Sequence, residues 1–112
     1  MADIPATYYV IEDHGRLGRE TVIDWEHCSK ANIIDRLIAG EYTRPIEVHC
    51  IDRELGQWSD VSQDIAQVIV EQLQEEPKGA LFDFLEEALG MRLMAELGRE
   101  AWGAHTQFGA GA

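Results

Sequence analysis

The chain is short of the residues that would tie it to a secreted scaffold, a nucleic acid or a membrane. Only two of its 112 residues are cysteine, Cys28 and Cys50, and three are proline. Two cysteines are too few for the disulfide framework of a small secreted domain, so reduced thiols and a cytoplasmic location are expected. Lys and Arg number nine against 21 Asp and Glu, a formal net charge of -12. Binding a phosphate backbone requires cations that displace condensed counterions. Direct nucleic-acid contact is therefore not expected, nor is a polybasic membrane contact. No apolar run approaches the ~20 residues of a membrane span. The N-terminal Met1-Ala2-Asp3-Ile4-Pro5-Ala6-Thr7 lacks the basic and apolar regions of a secretory signal.

What is present suits one folded unit. Hydrophobic residues make up 46% of the chain, too many for an intrinsically disordered protein. The length suits one domain and excludes a two-domain enzyme. Residues 1–102 are read as a single α+β domain, and the Gly/Ala-rich 103–112 as a mobile tail.

The pattern predicts three strands and three helices in the order ββαβαα. Residues 7–13 and 20–25 are aromatic and β-branched, and the glycine-containing loop between them suggests a hairpin. On the second run the Ile23/Trp25 face is expected to be buried. Ser29 is a natural N-cap for a helix carrying Ile34, Leu37 and Ile38 on one stripe, and Gly40 suits its C-terminal end. Residues 46–52 alternate as a third strand, and 53–60 read as a loop. Helices follow from Ser62, its expected cap, with Asp60 and Gln63 as a competing capping box, and from Ala80. The second either stops at Gly90 or runs through it to about Leu97. A helix between the second and third strands makes them parallel, with the first able to lie between them, antiparallel to both. The expected fold is a small three-stranded α+β sheet with helices over one face.

Gly40-Glu41-Tyr42, Pro45, Val48, Trp58, Asp60-Val61-Ser62 and Asp64-Ile65-Ala66 follow a Gly-x-Tyr…Pro…Val…Trp…Asp-Val-Ser-x-Asp-Ile-Ala pattern. It resembles that of small uncharacterised bacterial proteins and spans residues 7–73. The resemblance implies a bacterial cytosolic setting and no particular activity.

The acidic residues are unevenly spread. The first 59 residues carry 11 acidic and 6 basic groups, whereas Asp60 to Glu87 carry eight carboxylates against Lys78 alone. The ordinary reading is a solvated helix face. The sharper one is a surface that steers a basic partner, with Asp64, Glu71, Glu75, Glu76, Glu86 and Glu87 as its residues. Trp58 reads as a lid over the core edge and is kept with the partner-facing set; Trp102 is open to the same two roles. The partner is a basic protein surface or a second copy of the chain. One alternative is an inhibitor, phage-derived in one version, whose carboxylates imitate nucleic-acid phosphates.

A second alternative is a small anion-binding or thiol-dependent enzyme. His14-Gly15-Arg16-Leu17-Gly18-Arg19 is the one basic cluster, and His14, Arg16 and Arg19 could hold a phosphate or carboxylate. It lacks the full P-loop pattern and joins two strands. Cys28 lies just before a helix N-terminus, where a thiolate is favoured, but no base or oxyanion site accompanies it. His27-Cys28 and His49-Cys50 offer zinc-ligand types, yet adjacent strand residues point to opposite faces. No catalytic residue, metal or cofactor is therefore assigned.

Overall fold

The computed structural model describes residues 6–52 and 54–101; the expected tail and Trp102 lie outside them. Strands β1 (Ala6–Asp13) and β2 (Arg19–Val22) flank a short 3₁₀ turn, Gly15–Leu17. Helix α1 is Lys30–Ile38, followed by β3 (Pro45–Asp52) and β4 (Gln57–Asp60). Helices α2 (Ser62–Gln72), α3 (Gly79–Leu89) and α4 (Met91–Ala101) follow. None of the described helices is long and apolar enough to cross a membrane.

The sheet has four strands, not the three expected, in the order β2-β1-β3-β4, with every neighbouring pair antiparallel. β4 replaces part of the expected 53–60 loop, since Gln-Trp-Ser-Asp has no apolar alternation to mark a strand. It is an edge strand exposed along its length, and its pairing comes from the register with β3. The turn before it is local chemistry. The Asp52 carboxylate accepts from the Glu54 and Leu55 amides at 3.0 and 3.1 Å, and Gly56 N donates to the Asp52 carbonyl at 2.8 Å. β1 does lie between β2 and β3 and runs antiparallel to both.

Among the described residues there are also four α-helices, not three. Gly90, at φ 84° and ψ 151°, separates α3 from α4. The order is ββαββααα. β2 stops at Val22, and Trp25 is 62% exposed, so the expected burial of its face fails there.

Residues from all four helices join Val10 and Val48 in one buried cluster, with Tyr8 and Val22 packed against it. Ile34 and Leu37 of α1, Ile65 and Ile69 of α2, Phe84 and Leu85 of α3 and Met94 of α4 supply most of its volume. Burying side chains of this size contributes about 1.5–3 kcal/mol each. Ser29 caps α1 as expected, accepting from Asn32 N at 3.2 Å. Gly40 takes φ 76° beyond its C-terminus.

On the reverse face, register places Tyr9 and Asp60 beside His49, and Thr7 and Trp58 beside Ile51. The sheet thus separates a helix-covered core from a polar and aromatic face.

Candidate functional site

Two surfaces carry chemistry: the acidic helical flank and the reverse face of the sheet.

On the flank, Glu71 lies exposed in the last turn of α2, Glu75 and Glu76 follow in the α2–α3 connection, and Asp83, Glu86 and Glu87 lie on α3. None of these six forms a salt bridge among the described residues. Asp64 differs, because Lys30 Nζ sits 3.0 Å from its Oδ2 and ties α1 to α2.

Glu75 and Glu76 line a groove of about 560 Å³ between the end of α1 and the α2–α3 connection. Leu37, Ile38, Tyr42, Leu73 and Leu81 line it as well, so the carboxylates sit beside apolar side chains. Burial raises the Tyr42 phenol above its ordinary range, partly opposed by the Arg36 guanidinium. Asp83 and Glu87, one helical turn apart, line a separate cleft with Arg19 and Arg44.

The arginine turn is built differently from an anion cradle. His14 Nε2 lies 2.9 Å from Glu20 Oε1 and 3.6 Å from Glu12 Oε1. Glu12 is only 6% exposed, and its other carboxylate oxygen accepts from Thr43 N at 3.2 Å. Arg19 points to Glu47 at 3.9 Å. Arg16 is exposed and forms no salt bridge among the described residues. His14, Arg16 and Arg19 are thus close in sequence, while two of the three are engaged by different carboxylates.

Cys28 is buried, and its thiol points at the Trp25 carbonyl at 3.6 Å. That packing suits a structural cysteine better than a nucleophile. Cys50 lies on the opposite side of β3 from His49, as adjacent strand residues must. Nearby, Asp24 ties the β2–α1 connection to α1, accepting from Arg36 Nη2 at 2.9 Å and lying 3.2 Å from His27 Nδ1. The Arg36 hydrogen bond, then that of His27, holds the Asp24 carboxyl below its ordinary range, although partial desolvation opposes them.

The reverse face brings together residues that the sequence reading had kept apart. The His49 ring stands edge-on to Tyr9 and Trp58, with centroids 5.4 and 4.9 Å away. Trp58 Nε1 donates to the Tyr9 hydroxyl at 3.0 Å. His49 Nε2 lies 2.9 Å from Glu47 Oε1 and 3.9 Å from Asp60 Oδ2. Ser62 fixes Asp60 from behind, its amide at 2.9 Å and its hydroxyl at 2.6 Å from Oδ1. The same hydroxyl accepts from Val48 N at 2.8 Å, so Ser62 is buried against β3. Ser62 is therefore the first residue of α2 and not its cap, the N-cap being Val61.

Trp58 is 58% exposed and belongs to this cluster, away from the groove beside α3. Glu47 and His49 were available to sequence reading as an i, i+2 pair on one strand face. Asp60 was not, because only the β3–β4 register places it there. The chain matches no protein-family model, no curated protein and no solved structure.

Proposed function

We propose that the protein binds a basic protein partner through the acidic rim of the groove between α1 and the α2–α3 connection. The observation that carries this reading is the placement of Glu75 and Glu76 beside Leu37, Tyr42, Leu73 and Leu81. Glu75 and Glu76 outnumber Lys78, the one cation lining the groove, and form no salt bridge among the described residues; such an acidic excess raises the encounter rate with a cationic surface. An apolar recess beside them then gives the encounter a place to lock. The matching partner presents an apolar side chain flanked by Lys or Arg. Glu71 extends the acidic rim. Asp64 contributes less, since Lys30 offsets its charge, and Trp58 lies outside this surface.

The test is affinity capture from a bacterial lysate at low salt, with wild type compared to Glu71→Gln, Glu75→Gln and Glu76→Gln combined. The expected result is a partner held by wild type, lost by the triple variant, and released as salt rises past about 0.15 M. Backbone amide shifts on adding that partner should centre on the α1 and α3 residues of the groove. Equal capture by the triple variant, or shifts confined to the sheet's reverse face, would remove the groove from the reading.

A further inference from the structure

We infer that Glu47, His49 and Asp60 form a binding site for a divalent transition metal of the zinc class. The inference is independent of the acidic groove. One donor atom from each residue lies within 4.8 Å of the other two, and the separations from His49 Nε2 are 2.9 Å to Glu47 and 3.9 Å to Asp60. A tetrahedral ion with bonds of ~2.1 Å needs its ligands about 3.4 Å apart. Small side-chain adjustments suffice to reach that spacing. Two carboxylates and a neutral imidazole balance a double positive charge. The nitrogen donor favours a transition metal over calcium or magnesium, which take oxygen ligands.

A group of exposed carboxylates alone would not support the inference. What sets this one apart is the histidine. His49 is only 9% exposed, and its ring is packed edge-on against Tyr9 and Trp58, with Nε2 turned toward both carboxylates. An imidazole fixed by packing meets a metal without first being ordered. The second carboxylate is also held: Ser62 occupies Asp60 Oδ1 through two hydrogen bonds, and Oδ2 is the oxygen nearer His49. Such supports behind a ligand set its orientation and metal affinity. Glu47 and Asp60 also line an open cleft of about 410 Å³ with Gln63 and Glu87. Two of the three ligands thus border open space, where water or an added ligand could complete the coordination.

A second triplet, Glu12, His14 and Glu20, meets the same distance criterion. Its histidine sits at a turn with its side chain 31% exposed and, among the described residues, lacks the aromatic packing that fixes His49. It serves as the internal control.

The experiment is titration of the full-length protein with Co²⁺ and then Zn²⁺, with excess Mg²⁺ and about 0.15 M salt to suppress non-specific cation binding. The expected result is one equivalent of Co²⁺ giving visible d–d bands that Zn²⁺ abolishes. The His49 ring nitrogen resonance should move with the same stoichiometry. His49→Gln and Asp60→Asn should each weaken binding more than tenfold. Ser62→Ala, which acts through Asp60, should weaken it by about 10–100-fold, and His14→Gln should leave it unchanged. Asp60→Asn keeps the test decisive should His49→Gln not fold, because Asp60 is exposed. Absence of saturable binding at one equivalent overturns the inference. So does binding indifferent to Asp60→Asn, or binding lost in His14→Gln.

Discussion

The Trp58 indole donates to the Tyr9 hydroxyl at 3.0 Å across 49 positions of sequence, joining edge strand β4 to β1 over the intervening His49. Removing either partner should cost about 0.5–1.5 kcal/mol, the net value of one such hydrogen bond. Tyr9→Phe and Trp58→Phe should then be non-additive in a double-mutant cycle, because each deletes the same bond. Additive losses would show that the two residues stabilise the sheet separately.

Asp24 and Arg36 give the fold an acid-sensitive tie. The folded carboxyl is held below its ordinary range, chiefly by the Arg36 hydrogen bond. Its contribution is therefore complete above the unfolded value of about 3.9. It fades as pH falls through the lower folded value. Asp24→Asn should be less stable than wild type at neutral pH, and the difference should shrink below about pH 4. Denaturant midpoints at a series of pH values would check this; parallel curves down to low pH would refute it.

Ser62 is a point where the helix layer grips the sheet. Its hydroxyl accepts from Val48 N, and Val48 is fully buried. Ser62→Ala would strand that amide, for an expected loss of about 1–3 kcal/mol. Amide hydrogen exchange at Val48 should accelerate beyond the global change. Unaltered protection there would mean that another group takes over as acceptor.

Neighbouring aromatics on α3 should separate by burial. Phe84 is 1% exposed inside the cluster, whereas Phe82 is only half-buried. Phe84→Ala should destabilise by about 3–5 kcal/mol, and Phe82→Ala by clearly less. Equal losses in chemical denaturation would mean that α3 is rotated about its axis.

Features set by local chemistry were readable from the sequence. Ser29 and Gly40 bound α1 because a cap hydroxyl and a left-handed glycine act within a turn of their position. The stripe of α1 was readable because burial repeats with the helical period. What failed depended on partners distant in sequence. β4 has one apolar residue and becomes a strand only by pairing with β3. Ser62 looked like a cap until β3 claimed its hydroxyl. The acidic flank was visible as composition, but not the groove that places Glu75 and Glu76 beside Leu37 and Leu81. His49 was weighed with Cys50, its chain neighbour, whereas the sheet gives it Asp60, eleven positions on.

Gly90 supplies the clearest sign test. In a continuous helix an interior glycine is unfavourable, and replacement by alanine would stabilise by about 1 kcal/mol. Here Gly90 has φ 84° and ψ 151°, a region that side-chain-bearing residues avoid. An added Cβ would meet no atom within 4 Å, so the penalty comes from the backbone alone, about 1–3 kcal/mol. Gly90→Ala should therefore destabilise. The α3–α4 break lets Met94 enter the same cluster as Phe84 and Leu89. Straightening it would draw α4 along the axis of α3 and withdraw Met94 from that cluster. Loss of Met94 methyl contacts in NMR spectra should accompany the fall in stability. A stabilised variant with those contacts intact would mean that the two helices are one.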